Sequence, residues 1–306
     1  MVMSNNSGTI KVVLLILKGR PAMVTQLNSF RGLVDDYDAF LIDAWGVLHD
    51  GVKPYAGAID VLRELKHAEK TVVIISNAAR RTEQVALEMQ RLGLAPDLYA
   101  HLATSGEAAW QALSARADDQ HRALGKRCYY LGPDRSRNLM VGLNLDEVEQ
   151  IEDASFLLVT GVLDPAHDLE SCRTVLDKAL KHNLVLVSAN SDRIAISGGK
   201  TYFCGGAVAG LYSSMGGSSL HYGKPYLPIY ETCFAALPGV SKERILAVGD
   251  SFETDMPGAK AANLDALFIG GGIHRDVLKN NSSGGVQALC NKYGCTPKAV
   301  LDVLRW

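Results

Sequence analysis

Two short apolar runs, far apart in this chain, each end on aspartate, and no other feature constrains the fold as much. Residues 39–43 read Ala-Phe-Leu-Ile-Asp and lead through Ala44-Trp45 to a turn at Gly46. Residues 245–250 read Ile-Leu-Ala-Val-Gly-Asp, with Asp255 five positions on. A continuous apolar run of this length has no wet face, so each predicts a strand buried on both sides. Such strands need helices to cover them. The intervening pattern supplies these, with an amphipathic helix over Ala58–Lys66, a β-branched strand over Thr71–Ser76 and a helix over Thr82–Leu92 ended by Gly93. The expected class is α/β with a Rossmann-like parallel sheet.

A second series of the same kind lies between the two acid-bearing runs. Strands are predicted over Arg127–Leu131, Phe156–Val159 and Leu184–Ser188, with a helix over Leu169–His182. The pattern therefore predicts a split core, residues 31–103 and 204–306, around an inserted α/β unit over 104–203. Gly205-Gly206-Ala207 opens a helix, Ala266–Ile269 supplies another strand, and an amphipathic helix is expected over Pro297–Arg305 with Thr296 as its cap. Residues 1–30 read as an N-terminal extension. The apolar run Val12–Leu17 is too short to cross a bilayer and has no small-residue cleavage site behind it. Met23 offers an alternative start, against an ordinary first strand.

Composition narrows the function classes. Of 306 residues, 47% are hydrophobic and 21% charged, which argues for a globular chain with a real core. A formal net charge of −2 gives no basic stripe for nucleic acid, and no segment suits a membrane. The six cysteines lack metal-site spacing and read as thiols of a reducing compartment, the cytoplasm.

In a parallel sheet, ligands collect beyond the carboxyl ends of the strands. Asp43, Ser76 and Asp250 all fall at such ends. Magnesium takes one or two carboxylates together with phosphate and water, and Asp43 and Asp250 suit it. Asp255 is a third ligand, a cap for the helix beginning near Pro257, or both. Either strand-end aspartate alone could be structural. Both together, with Lys224 ahead of the second, predict a phosphate site held by magnesium.

Four segments in order resemble the haloacid dehalogenase superfamily of phosphohydrolases, and specifically its type IIA, p-nitrophenyl phosphatase-like branch. They are Asp43-Ala-Trp-Gly-Val-Leu, Ile74-Ile-Ser-Asn77, Gly223-Lys-Pro225 and Gly249-Asp-Ser-Phe-Glu-Thr-Asp255. The resemblance runs from about Asp38 to the C-terminus, and it implies that the insertion is a cap domain. It also implies Asp43 as nucleophile, forming an aspartyl phosphate. Asp43, the Trp45 carbonyl, Asp250 and Asp255 would surround magnesium, Ser76 and Asn77 would hold the phosphoryl oxygens, and Lys224 would balance charge. The implied substrate is a small phosphorylated metabolite, and the resemblance suggests a homodimer.

The departures shape the alternatives. The family places a second aspartate two residues after the nucleophile as proton donor; here that position is Trp45. His49 is a candidate replacement, set against a plain role in lining the turn. Arg80, preceded by Ala78-Ala79, is a candidate for substrate binding or bracing, as are Asn190 and Asp192 at the end of the insertion's last strand, against a plain turn cap. The leading expectation is a magnesium-dependent phosphohydrolase. The alternatives are a weakened phosphate-ligand binder or sensor, and a phosphotransferase.

Overall fold

The computed structural model describes residues 24–162, 169–197, 200–279 and 282–306. The Val12–Leu17 run and the choice of start at Met23 lie outside them. In chain order the strands are β1 (Thr25–Gln26), β2 (Ala39–Asp43), β3 (Thr71–Ser76) and β4 (His101–Thr104), then β5 (Arg127–Leu131), β6 (Asp146–Glu147), β7 (Phe156–Val159) and β8 (Val185–Ser188). A hairpin β9 (Ile194–Ser197) and β10 (Lys200–Phe203) follows, then β11 (Ser219–His221), β12 (Ile245–Gly249), β13 (Asp265–Ile269) and β14 (Ala299–Leu301).

Seven strands form the main sheet in the order β1-β14-β13-β12-β2-β3-β4, with every neighbouring pair parallel. All five residues of β2 are buried. Successive side chains of a strand face opposite ways, and Phe40 and Ile42 enter one core layer while Ala39 and Leu41 enter the other. The helix Ala58–His67 closes the first layer by burying Ala58, Val61, Leu62 and Leu65, a stripe with helical spacing. The expected α/β class with a parallel core is the observed one. No helix among the described residues is long and apolar enough to cross a membrane.

The insertion has its own five-stranded parallel sheet, ordered β11-β8-β7-β5-β6, and the separate β9–β10 hairpin. Three sequence expectations need correction. The unit does not stop at residue 203. The helix Gly205–Ser214 packs into the insertion's core through Val208, Ala209 and Tyr212, and β11 pairs with β8. A three-residue strand carries too little pattern to be read in advance. At the N-terminus, residues 24–30 are part of the core rather than an extension: β1 pairs with β14, and Phe30 packs on Phe40 with ring centroids 5.3 Å apart. The predicted helix over Pro297–Arg305 is instead β14, followed by a bend. Ala299, Val300 and Leu301 are buried on alternate faces beside β13, where the ladder supplies backbone partners that a helix would forgo.

Candidate active site

The carboxyl ends of β2, β3 and β12 deliver Asp43, Ser76 and, one residue past the strand, Asp250 to one place. After β2 the chain reverses tightly. Leu48 and His49 N–H groups donate to Ala44 O (2.9 and 3.1 Å), and Gly46 N–H donates to His49 O (2.9 Å), which leaves the Trp45 carbonyl out of the turn's own bonding. Gly46 sits at φ +88°, and a β-carbon there would collide with the Asp250 carboxylate. Glycine is needed at that position for both reasons.

Lys224 lies beneath this turn, fully buried, and its ammonium binds Asp43 Oδ1 at 2.6 Å and Asp255 Oδ1 at 2.7 Å. Ala44 N–H donates to Asp43 Oδ1 (2.8 Å), Ser251 N–H to Asp255 Oδ2 (3.1 Å) and Ile273 N–H to Asp250 Oδ2 (2.7 Å). Asp255 also opens the helix Asp255–Ala262, so it stands in the first turn as well as in the acid cluster.

Three buried carboxylates therefore share one ammonium. Burial pushes Asp43 well above the usual carboxylate range, and Asp255 and Asp250 add to the shift while Lys224 opposes it. Asp250 is pushed up to about 8, first by burial and then by Asp255. Burial works against the charge of Lys224, yet Asp255 and Asp43 outweigh it and hold the lysine well above its ordinary value. The excess negative charge tests the fit of a cation. Asp43, Asp250 and Asp255 each offer an oxygen, all within 4.8 Å of one another, a donor set of the hard, anionic kind that a divalent ion such as magnesium takes. The residues fit.

Above the acids lies a cleft of about 650 Å³ between the main sheet and the insertion. Asp43, Trp45, Ser76, Asn77, Arg80, Asn190, Asp192 and Asp250 all line it, so nearly every sequence-selected residue converges here. His49 does not. It faces a smaller cavity of about 230 Å³, its Nδ1 accepts from Gly51 N–H (3.0 Å), and burial holds the imidazole down to about 4, leaving it neutral. It braces the turn.

Asn77 also departs from expectation. Its amide nitrogen donates to Asp192 Oδ1 (2.8 Å) and Lys224 O (3.1 Å), and its Oδ1 accepts from Lys224 N–H (2.7 Å). Both amide hydrogens are spent, so the side chain is a strut between core and insertion rather than a phosphate donor. Ser76 Oγ accepts only a long bond from Ala78 N–H (3.3 Å), which leaves its own proton available. Arg80 is paired with Glu88. Asn190 Oδ1 caps its turn by accepting from Asp192 N–H (2.8 Å), while burial pushes Asp192 up to about 6.

Sequence reasoning passed over Pro133, Arg135 and Thr160, which also line the cleft. They follow β5 and β7, and the strand-end rule that singled out Asp43 would have found them had it been applied to the second sheet.

A parallel α/β sheet that gathers buried acids and a lysine at its strand ends defines a metal-and-anion class of enzyme, and comparisons with known proteins place the chain more narrowly. Residues 40–146 match the model for haloacid dehalogenase-like hydrolases, and residues 221–305 match a HAD-hydrolase-like model. A solved hydrolase of the haloacid dehalogenase-like family from Brucella suis 1330 superposes with TM-score 0.80 at 30% identity, over 91% of this chain and 99% of that one. The D-glycerol 3-phosphate phosphatase of Mycobacterium tuberculosis is 26% identical over 80% of this chain, a match that spans 66% of the relative's own length. The 4-nitrophenylphosphatase of Schizosaccharomyces pombe is 24% identical over 81% of this chain and 89% of its own. The chain belongs to the haloacid dehalogenase-like hydrolase family.

Proposed function

We propose that the chain is a magnesium-dependent phosphoric monoester hydrolase acting on a small phosphorylated metabolite, with Asp43 as nucleophile. The observation that carries this reading is the Lys224 ammonium held between Asp43 and Asp255, with Asp250 converging on the same point at the floor of the cleft. The phosphatase names of the two curated relatives support it.

Asp43 is held by Ala44 N–H and Lys224 through Oδ1, which leaves Oδ2 to attack phosphorus and form an aspartyl phosphate. Lys224 stays charged through the step and offsets charge on the transferring group. The Ser76 hydroxyl donates to a phosphoryl oxygen. Magnesium, held by Asp43, Asp250, Asp255 and the Trp45 carbonyl, would supply the positive charge that draws in and neutralises the phosphate. The insertion acts as a cap, with Asn190 and Asp192 above the cleft and the Asn77–Asp192 bond tying it down. A cleft of about 650 Å³ suits a small ester. The absence of disulfides among the six cysteines supports a cytoplasmic setting, and the homodimer rests on the resemblance alone.

The test is phosphate release from a panel of small esters with magnesium. Asp43→Asn should reduce release to background while thermal unfolding stays unchanged; hydrolysis retained in that variant would falsify the nucleophile assignment. Trp45 gives a binder reading its one specific support, because the indole N–H is already spent on Ile196 O. Tight binding of a phosphate mimic with no turnover of any ester would favour that reading.

A further inference from the structure

Trp45 stands two residues after Asp43 and has no proton to give, because its Nε1–H donates to Ile196 O at 2.8 Å. That bond is one of two that draw the same stretch of the insertion onto the core. The other joins Asn77 to Asp192, where Nδ2 donates to Oδ1 at 2.8 Å, and the same Nδ2 donates to the backbone oxygen of Lys224 at 3.1 Å. The Lys224 ammonium in turn binds Asp43 at 2.6 Å. One amide therefore links the Asp192 carboxyl to the lysine that fixes the nucleophile.

Asp192 is also held from behind. Its N–H donates to Asn190 Oδ1 (2.8 Å) and its carbonyl accepts from Gly206 N–H (2.9 Å). A β-carbon at Gly206 would lie 2.7 Å from that carbonyl oxygen, so only glycine lets the two chains approach so closely. Asp192 Oδ2 has no hydrogen-bond partner among the described residues, and the residue lines the large cleft together with Asp43.

A group that gives a proton in one step and takes one in the next works best with a pKa near the working pH. Asp192 is pushed up to about 6, first by burial; Asp255 and Glu253 add to the shift, while Lys224 and the Asn77 bond oppose it. Cys204 faces it from the insertion, a thiol that burial pushes up to about 12. The other groups suit the task less. Asp50 accepts through Oδ1 from the N–H groups of Val52 and Lys53, bonds that favour its ionised form. Burial raises the Tyr55 hydroxyl, and His49 is neutral and outside the cleft.

We infer that Asp192 is the acid–base group of the reaction, lent by the insertion and acting through Oδ2 in place of the residue that Trp45 displaces. This inference rests on the phosphohydrolase reading and deepens it. As Asp43 Oδ2 bonds to phosphorus and the ester P–O bond breaks, the electron pair leaves with the ester oxygen, which takes the proton from Asp192. The resulting Asp192 carboxylate then takes a proton from the water that attacks phosphorus. The bond to Asp43 breaks, its carboxylate is restored, and phosphate leaves. Both residues end as they began.

The experiment compares kcat/KM, with magnesium, for glycerol 3-phosphate and 4-nitrophenyl phosphate in the full chain and in Asp192→Asn. An alkoxide needs a proton to leave, whereas nitrophenolate departs as a stable anion. Asparagine keeps an oxygen for the Asn77 amide, so the substitution preserves the strut and removes the transferable proton. The glycerol ester should slow by about 10²–10⁴-fold, and the nitrophenyl ester should change far less. An equal fall for both esters would reduce Asp192 to a positioning residue and overturn the inference, as would no change in either. Both results leave the phosphohydrolase reading standing. Hydrolysis of no ester by the wild type would overturn that reading and the inference together. Should Asp192→Asn fail to fold, the wild-type pH profile decides. The donor acts protonated, so the ratio of glycerol to nitrophenyl kcat/KM should fall as pH rises through about 6. A ratio that stays flat across that range would overturn the inference.

Discussion

The main sheet and the inserted sheet share one architecture, parallel strands whose carboxyl ends face the same cleft, but they present different chemistry there. The ends of β2, β3 and β12 bring Asp43, Ser76 and Asp250, with Lys224 and Asp255 packed beneath. The segments after β5, β7 and β8 bring Pro133, Thr160 and Asn190, and the adjoining hairpin brings aliphatic and aromatic side chains. Charge is concentrated on one side, where backbone N–H groups and an ammonium fix each acid in place. The other side offers apolar surface with dispersed polar and charged groups, Arg135 and Asp192 among them. On the proposed reading the core would act on the phosphoryl group, which never varies, and the insertion would read the part of the substrate that does.

Substitutions on the two sides should therefore fail differently. The largest effect is expected from Lys224→Met. It leaves Asp43 and Asp255 buried without their cation, a loss of about 3–5 kcal/mol of stability, with turnover falling to background; denaturant unfolding and a phosphate-release assay measure both. An intermediate effect is expected from magnesium itself. The Asp250 pKa is raised to about 8, so the stability this group contributes is full below the ordinary carboxylate range and is lost as pH climbs through about 8. Magnesium favours the ionised carboxylates, and its stabilisation should grow over the same window, approaching about 2.7 kcal/mol at a hundredfold excess over Kd. Thermal unfolding with and without magnesium at both ends of the window measures this. A gain that shrinks with rising pH would break the assignment of the acids as ligands. The smallest effect is expected on the insertion side. Ile194→Ala should raise KM for the preferred ester about tenfold and leave kcat nearly unchanged. A fall in kcat with KM unmoved would erase the contrast between the two sheets.

Much of the core was legible because its signals are local. The apolar run 39–43 has to be buried on both faces, and a carboxylate at its end has to face the ligand side of the sheet, so Asp43 and Asp250 could be paired across the chain before any coordinates. Other features depend on partners that only folding brings together. The residues 299–301 could pair with β13 or coil, and the ladder decided for a strand. Asn77 reads as a phosphate donor in isolation, but Asp192, distant in sequence, consumes its amide. His49 kept its place in the turn and lost its proton chemistry to burial. The bond from Trp45 to Ile196 has no trace in the sequence, because a backbone carbonyl is available at any residue.

The central claim is that Asp43 takes the phosphoryl group, and rapid quenching tests it most directly. The full chain would be mixed with magnesium and a phenyl phosphate, stopped with acid within the first turnover, and its peptides weighed by mass spectrometry. The account predicts one covalent phosphate on the peptide that carries Asp43, and none in Asp43→Asn. Steady hydrolysis with no phosphate on that peptide at any quench time would contradict it.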